Sequence, residues 1–174
     1  MNKNPKISII TVTFNGEKTI KDTIKSVFSQ DYNNIEHIII DGKSTDRTID
    51  IVKSYKDKIN YLISEDDDGI YDAMNKGIRA STGDVIGVLN SDDFYPCNHI
   101  ISDVVKIFNE HETDSVYGDL VYVDPEQTDK VTRYWKSKDF SLSKIRKGWT
   151  LPHPTFFVKK KIYNEFGLYS IRLK

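Results

Sequence analysis

The chain has 174 residues, 38% of them hydrophobic, which is enough for one domain with an apolar core. Its 25 basic and 26 acidic residues leave a formal net charge of −1, so no global positive field favours nucleic acid as a partner. The sequence lacks a membrane-spanning apolar run and the apolar core of a signal peptide, and Cys97 is its one cysteine. We therefore expect a cytoplasmic protein without a disulfide framework or a cysteine-rich zinc site.

Strands and helices alternate along the first 112 residues. Four apolar runs predict strands at 7–13, 35–40, 59–63 and 85–89. Apolar residues recur at helical spacing in four further stretches, at 20–28, 49–55, 70–78 and 101–108. This alternation predicts an α/β fold with a mostly parallel central sheet, helices on both faces and right-handed crossovers.

The pattern changes after residue 113. Residues 115–123 and 130–135 are typical of strands joined by a polar turn, while 151–158 predicts a further strand and 159–166 a short helix. We therefore expect a small antiparallel addition to the parallel sheet, within the same single domain.

Polar residues follow each of the four predicted parallel strands. They are Thr13, Asn15 and Glu17 after the first, Asp41 after the second, Glu65 to Asp68 after the third, and Asn90, Asp92 and Asp93 after the fourth. Ligands of open parallel sheets bind beyond the carboxyl ends of the strands, so these side chains should converge on one rim. Clustered carboxylates repel one another unless a cation neutralises them or one is protonated. Mg²⁺ or Mn²⁺, held by one or two carboxylates and by substrate phosphate oxygens, would explain the cluster.

An alternative interpretation is that Asp41 and Asp92 only cap the helices that follow them. Other phosphate-binding devices are missing from the sequence. The first strand is not followed by G-x-G-x-x-G, and neither G-x-x-x-x-G-K-[ST] nor G-x-S-x-G occurs. The sequence therefore favours a diphosphate held through metal rather than through a glycine loop.

Four ordered segments resemble family 2 glycosyltransferases, over roughly residues 5 to 170. They are Ser8 to Glu17 (SIITVTFNGE), Ile40 to Thr48 (IDGKSTDRT), Glu65 to Ile78 (EDDDGIYDAMNKGI) and Leu89 to Asp93 (LNSDD). The third is similar to a signature of a bacterial polysaccharide-assembly branch. The resemblance implies a Rossmann-like nucleotide-diphospho-sugar transferase fold, a divalent metal (Mn²⁺ or Mg²⁺) and inversion at the anomeric carbon. It also implies a nucleotide-sugar-binding half at 1–112 and the start of an acceptor-side half at 113–174.

The resemblance also assigns roles to individual positions. Thr13, Asn15 and Glu17 match the motif that lines the nucleotide pocket, and Asp41 matches the acid that contacts the base. Asp92 matches the metal-binding end of a D-x-D motif whose first position here is Asn90, which removes one charge from the metal site. Asp68, in the loop after the third strand, is a further candidate donor-site ligand, and Asp93 is expected on the acceptor side. His153 lies in a segment, Trp149 to Pro154, that resembles one approaching the acceptor side, although a histidine between two prolines is equally consistent with a structural role.

A general base is expected shortly after a Gly-Leu-Tyr segment such as Gly167 to Tyr169, but the sequence stops at Lys174 before a matching Asp. Asp119 and Asp124 do not match the base motif. We therefore expect a domain truncated at its C-terminus, either an active transferase or a module that binds donor and transfers poorly. A sugar-nucleotide pyrophosphorylase is disfavoured because the first-strand turn has no arginine.

The expected partners are a nucleotide-diphospho-sugar, with UDP as the default nucleotide, and a saccharide or lipid-linked saccharide acceptor. Two further contacts stay open. The basic stretch at 136–147 with Trp135 and Trp149 would suit an anionic membrane surface, which would put the chain at the inner face of the cell membrane, although a plain solvated surface also accounts for it. Exposed apolar surface would favour a homo-oligomer.

Overall fold

Four parallel strands form the centre of the molecule in a computed structural model that describes residues 3–172. They are β1 (Ile7–Thr13), β2 (Ile35–Asp41), β3 (Tyr61–Ser64) and β4 (Val85–Val88). β1 pairs in parallel with both β2 and β4, and β2 pairs in parallel with β3. Both faces of β1 are covered, which is why its sequence is rich in isoleucine instead of alternating between apolar and exposed polar residues.

Helices cover the two faces of this sheet. They are α1 (Ile20–Phe28), α2 (Thr48–Ser54), α3 (Ile70–Ala80) and α4 (Ile100–Glu110). On one face Ile7 and Ile9 pack with α4 and with Val27 of α1, and on the other Ile10 and Val12 pack with α3. The alternation of odd and even β1 residues between two cores follows from the period of two in a strand.

Two residues of the predicted apolar helix stripes lie at the surface instead. Phe28 is 43% exposed at the last position of α1, where its ring lies 6.2 Å from that of Tyr55. Ile70 is 49% exposed because it is the first residue of α3. A helix terminus extends past the covered part of the sheet, so periodicity alone overestimates its burial.

The second half of the chain extends the sheet and adds a separate ribbon. Its strands are β5 (Ser115–Val116), β6 (Leu120–Val123), β7 (Val131–Trp135) and β8 (Phe157–Lys159), and its helices are α5 (Leu142–Ile145) and α6 (Lys160–Phe166). β8 lies antiparallel between β4 and β5, which gives the order β3-β2-β1-β4-β8-β5, while β6 and β7 form an antiparallel pair of their own. The expected antiparallel addition is confirmed.

Two predicted strands in this half are shorter than expected. The stretch 115–123 is interrupted at 117–119, where the Asp119 carboxylate accepts hydrogen bonds from Ser137 and Tyr134 and the chain is not a strand. Most of 151–158 is not a strand but includes a short 3₁₀ helix, His153–Thr155. Pro152 and Pro154 explain this, because proline has no N–H to donate to a neighbouring strand.

The strand order places a topological switch point at β1. The chain passes from β1 to β2 and β3 on one side, and β4 then pairs with β1 on the other side. Loops that leave neighbouring strands on opposite sides of such a point open a crevice between β1 and β4 at the carboxyl edge of the sheet. Within residues 3–172, no helix has the length and apolar character needed to cross a membrane.

Candidate functional site

The loops after the four parallel strands contact one another, so the predicted rim exists. We name them loop 1 (14–19), loop 2 (42–47), loop 3 (65–69) and loop 4 (89–93). A methyl group added to Gly16 of loop 1 would lie only 3.0 Å from the Ser91 hydroxyl of loop 4. A methyl group added to Gly42 of loop 2 would lie 2.5 Å from a carboxylate oxygen of Asp67 in loop 3. Glycine at these two positions permits the close approach of neighbouring loops.

Loops 1 and 2 are joined by reciprocal hydrogen bonds that involve two predicted site residues. The Asn15 side chain accepts a hydrogen bond from the Thr45 backbone N–H at 2.9 Å. The Glu17 carboxylate accepts one from the Arg47 N–H at 3.0 Å, and the Glu17 N–H donates to Asp46 at 3.1 Å. Asp46 also accepts from the Thr48 N–H at the start of α2. Asn15 and Glu17 thus shape the rim through the neighbouring loop.

Asp41 lies at the end of β2 with a fully buried side chain. Its carboxylate accepts hydrogen bonds from the Ser44 N–H at 3.1 Å, from the Ser44 hydroxyl and from the Ser64 hydroxyl at 2.7 Å. Asp41 therefore fastens loop 2 to β2 and to the end of β3, beneath the surface that a ligand would meet.

Loop 4 is held by a residue that the sequence did not single out. The hydroxyl of Thr23, buried in α1, lies 2.9 Å from the carbonyl oxygen of Ser91 and 2.8 Å from that of Asp93. The Asp93 N–H donates to the Asn90 carbonyl at 3.0 Å and closes the turn. Thr23 therefore fixes the backbone of the turn, and the Asp92 side chain is exposed to solvent.

The side chains of loop 4 differ in their surroundings. The exposed Asp92 carboxylate makes no hydrogen bond or ion pair with any residue in the range 3–172. Asp93 is half-buried, and desolvation together with the Asp92 charge raises the pKa of its carboxyl group to about 6, against hydrogen bonds from Asn90 that lower it. The neighbouring charge on Asp92 would be offset by a cation.

Two buried oxygen atoms at the switch point lack a hydrogen-bond partner, counting residues 3–172. They are Thr13 Oγ1 at the end of β1 and Asn90 Oδ1 at the start of the turn. Buried polar atoms are normally paired, so an unpaired one indicates room for a ligand, ion or water. Asn90 Oδ1 and the Asp92 carboxylate are both hard oxygen donors of the kind that Mg²⁺ and Mn²⁺ prefer.

Metal binding at this place would depend on the ligand as well as the protein. Over residues 3–172, no group of three or more His, Cys, Asp or Glu side chains is arranged to hold a metal ion. A site with one carboxylate and one amide oxygen matches the way Mg²⁺ is usually held, with phosphate oxygens and waters completing the shell.

Loop 3 is anchored by a lysine from α3. Lys76 Nζ lies 3.0 Å from Glu65 and 3.4 Å from Asp72, and it donates to the Asp66 carbonyl at 2.6 Å. Asp68 is exposed, and among residues 3–172 it contacts Asp72 through its backbone N–H, at 3.2 Å, and no partner through its carboxylate. The Asp68 carboxylate is thus available on the rim.

His153 lies on the other side of the switch point. Its 3₁₀ helix runs alongside β4, and its ring lies 6.3 Å from that of Tyr169, which in turn lies 5.8 Å from Tyr71 at the start of α3. Burial lowers the pKa of His153, and its Nε2 has no hydrogen-bond partner from residues 3–172. The His153 imidazole is therefore neutral, and it lies beside β4 and the Tyr169 ring, with its Nε2 atom free to form a hydrogen bond.

Phe14 is a rim residue that the sequence reasoning missed. It is the first residue of loop 1, its ring is 64% exposed, and it lies close to Gly42 of loop 2. A large aromatic side chain left exposed between two joined loops offers a flat surface for a planar ligand. The signal in the sequence was an aromatic residue directly after a buried strand, at a position with no core to fill.

Known proteins resemble this chain in sequence and in fold. The sequence profile described as glycosyl transferase family 2 matches residues 8–166. A PGL/p-HBAD biosynthesis glycosyltransferase of Mycobacterium tuberculosis is 28% identical over 174 residues, covering 98% of this chain and 65% of the relative. The chain thus spans less than two thirds of the length of that relative.

Two solved structures share the fold. The structure of S. aureus TarS 1-349 in complex with UDP matches with a TM-score of 0.79 and 22% identity, over 97% of this chain and 51% of that one. The mannosyltransferase PcManGT of Pyrobaculum calidifontis, in complex with GDP-Man and Mn²⁺, matches with a TM-score of 0.74 and 19% identity, over 97% of this chain and 48% of that one. The fold and the sequence profile agree, and this chain belongs to glycosyl transferase family 2.

Proposed function

We propose that this chain binds a nucleoside-diphosphate sugar on the rim formed by loops 1 to 4 and transfers the sugar, with inversion, to a hydroxyl group. The observation that carries the proposal is loop 4, a turn at the switch point that is fixed by Thr23 and presents the unpaired Asp92 carboxylate. UDP is the first nucleotide to test, because TarS has been solved with UDP and with UDP-GlcNAc. In this proposal residues 1–112 bind the donor, and 113–174 begin the acceptor side.

The nucleoside would lie over loops 1 and 2. Phe14 offers its exposed ring to the base, and Thr13 Oγ1 is an unpaired polar atom at the base of loop 1. Asn15, Glu17 and Asp41 would act by holding the two loops in register, since their side chains are already hydrogen-bonded to loop 2 or its neighbours. This support preorganises the rim and lowers the cost of ordering it on binding.

The diphosphate requires a cation at this rim. Loops 3 and 4 are rich in carboxylates, and Lys43 and Lys76 already pair with Asp66 and Glu65. A diphosphate brought to such a surface would meet like charge, which disfavours binding unless a divalent ion lies between the two. Asp92 and Asn90 Oδ1 are the groups that would hold Mn²⁺ or Mg²⁺, with Asp68 nearby on loop 3. When bound, such an ion stabilises the charge that develops on the departing diphosphate.

Transfer forms a bond between the acceptor oxygen and the anomeric carbon and breaks the bond from that carbon to the diphosphate. The hydroxyl proton must pass to a base. Asp119 and Asp124 are unsuitable because both carboxylates are already hydrogen-bonded. Asp119 accepts from Ser137 and Tyr134, which lowers its pKa, and Asp124 accepts from the N–H groups of residues 126 and 127. Asp93 and His153 face the acceptor side in this proposal, and we assign no catalytic base.

A donor-binding module that does not catalyse transfer is the second candidate function. The observation that favours it is that the carboxylates of Asp119 and Asp124 are both engaged in hydrogen bonds, which leaves the donor side of the site better equipped than the acceptor side. Donor binding and transfer must therefore be measured separately.

Calorimetric titration tests the donor site directly. UDP, GDP and dTDP would be titrated into the chain with and without Mn²⁺. The nucleotide that binds most tightly would then be titrated into the Asp92→Ala variant. We expect binding that needs Mn²⁺ and that weakens at least roughly tenfold in Asp92→Ala, as expected when a metal-coordinating carboxylate is lost. Asp57→Asn, which removes one carboxylate from an exposed position outside the rim, is the matched control and should bind like the wild type.

Metal-independent binding, or equal affinities of the wild type and Asp92→Ala, would contradict the proposed site. Release of UDP from a UDP-sugar in the presence of saccharide acceptors, followed by analysis of the anomeric configuration of the product, then decides between transferase and binding module.

A further inference from the structure

An exposed basic and apolar segment lies between β7 and the 3₁₀ helix that carries His153. We call residues 136–149 the strap. It contains five basic side chains, Lys136, Lys138, Lys144, Arg146 and Lys147, and one acidic side chain, Asp139, so its net charge is +4 in a chain whose net charge is −1. Positive charge is therefore concentrated in one short segment of an otherwise acidic chain.

The strap is fastened at both ends. At its start, Ser137 donates through its N–H at 2.8 Å and its hydroxyl at 2.6 Å to Asp119, and the Tyr117 hydroxyl donates to the Lys138 carbonyl at 2.8 Å. At its end, the Trp149 ring packs edge-on against that of Tyr117 at 6.5 Å. Anchoring at both ends fixes the strap to Tyr117 and Asp119, in the segment between β5 and β6.

The side chains between the anchors are exposed, including apolar ones. Phe140 is 62% exposed, Leu142 54% and Ile145 38%. The short helix α5 places Leu142 and Ile145 three residues apart, on the same side of one turn. Apolar side chains on a solvent-facing segment indicate an interaction surface rather than a core.

The cations of the strap have no partner at ion-pair distance, although the Lys136 charge contributes to lowering the pKa of the Asp119 carboxyl group. None of the five basic side chains makes an ion pair with a partner among residues 3–172. Lys136, Lys138 and Lys144 surround one open depression of about 490 Å³ together with Ser137 and Asp139. Three lysines around one depression create a local positive potential that suits phosphate groups.

We propose that the strap binds an anionic lipid surface and holds the acceptor-side edge of the protein at the inner face of a membrane. Phe140, Leu142 and Ile145 insert at the level of the headgroups, while the basic side chains contact lipid phosphates above them, the arrangement of interfacial amphipathic segments. Charge complementarity selects this occupant, because a purely apolar partner would leave five cations unpaired. His153 follows the strap by four residues. Contact of the strap with the membrane would therefore bring a lipid-linked saccharide towards the acceptor side. This last step rests on the proposed function, whereas the membrane contact does not.

Vesicle co-sedimentation tests the proposal without any sugar nucleotide. The chain should bind vesicles that contain phosphatidylglycerol, bind pure phosphatidylcholine vesicles far more weakly, and be released by high salt. Replacing Lys144, Arg146 and Lys147 by glutamine should weaken binding roughly 100-fold, from about 1 kcal/mol for each basic residue near an anionic surface. Phe140→Ser combined with Leu142→Ser should weaken it roughly tenfold or more, because apolar insertion is lost.

A charge-matched control separates the strap from general electrostatics. Replacing Lys21, Lys25 and Lys53 by glutamine removes the same charge from exposed positions on α1 and α2 and should leave vesicle binding nearly unchanged. Equal binding by the strap variants and the wild type overturns the proposal. So does self-association that the Phe140 and Leu142 replacements abolish, since it would make the strap an interface between copies. UDP titration of the same variants distinguishes failure of the strap from failure of the donor site.

Discussion

At the scale of single residues, the site combines side chains that contact each other with side chains left free. Thr23 and Asp41 are buried and fully used in holding loops, and they determine where the free groups lie. Asp92 and Phe14 are exposed, and their side chains do not hold a neighbouring loop by hydrogen bonds within residues 3–172. A rim built in this way is preorganised by its buried residues, and in the proposed function its exposed residues contact the ligand.

Phe14 gives a direct test of the nucleoside position. Phe14→Ala should weaken UDP binding roughly tenfold, because stacking of a base on an aromatic ring contributes about 1 to 3 kcal/mol. Calorimetric titration with UDP and Mn²⁺ measures the effect. Phe166→Ala removes another exposed aromatic side chain, 75% accessible, at the end of α6 and should bind UDP like the wild type. An unchanged affinity of Phe14→Ala would place the base elsewhere on the rim.

At the scale of elements, α3 connects the two halves of the chain. It packs on β1 and β2 through one face, and its N-terminal turn follows loop 3. Its Gly77 contacts the Ile10 side chain so closely that no larger residue fits without a shift. Asn75 of the same helix is buried and holds the last described segment: its amide donates to the Tyr169 carbonyl at 2.9 Å and accepts from the Tyr169 N–H at 3.0 Å.

Asn75→Ala should therefore release residues 167–172 from α3. Loss of both hydrogen bonds from a buried site should lower the free energy of unfolding by about 1 to 3 kcal/mol. Hydrogen exchange read by mass spectrometry should show faster exchange at 167–172 with unchanged protection of β1 and β2. The matched control is Asn98→Ala, at an exposed position. If exchange at 167–172 stayed at the wild-type rate, Asn75 would not be the anchor of this segment.

At the scale of the whole molecule, the end of the sheet opposite the rim is held by a buried carboxylate. Glu36 of β2 pairs with Lys6 at 2.6 Å and accepts hydrogen bonds from Thr82, Gly83 and Ser8. These contacts outweigh burial and lower the pKa of Glu36 from 4.5 to about 2. The network links the starts of β1 and β2 to the loop before β4, at the end of the sheet away from the proposed ligand site.

Glu36 makes stability depend on acid pH. Because its folded pKa lies below the unfolded value of 4.5, its stabilisation is present above pH 4.5 and is lost as the pH falls towards about 2. We expect Glu36→Gln to lower the free energy of unfolding by about 2 kcal/mol at pH 7, allowing for solvent screening at Lys6. Urea denaturation at several pH values should show the gap between wild type and variant closing below pH 4.5. Exposed Glu110→Gln is the control, and a gap independent of pH would contradict the assignment.

Much of the fold followed from local pattern. The runs of isoleucine and valine predicted β1 to β4, and the helical spacing of apolar residues predicted α1 to α4, because burial on both faces or one face leaves a mark on every element. Polar residues directly after the strands predicted the rim for a similar reason, since parallel strands bring their carboxyl ends to one edge. The second half was less predictable because Pro152, Pro154 and the hydrogen bonds of Asp119 to Ser137 and Tyr134 interrupt stretches with strand-like composition.

The amino-acid sequence by itself determined which elements form, that their strand ends carry carboxylates, and which family the motifs resemble. Only the tertiary structure decided how those polar residues are used. Asn15 and Glu17 join two loops, and Asp41 is buried beneath them. Thr23 holds the turn at Ser91 and Asp93, which lie 68 and 70 residues further along the chain. The physical reason is that secondary structure depends on neighbours along the chain, whereas a side chain finds its hydrogen-bond partner only after the sheet has set which loops lie side by side.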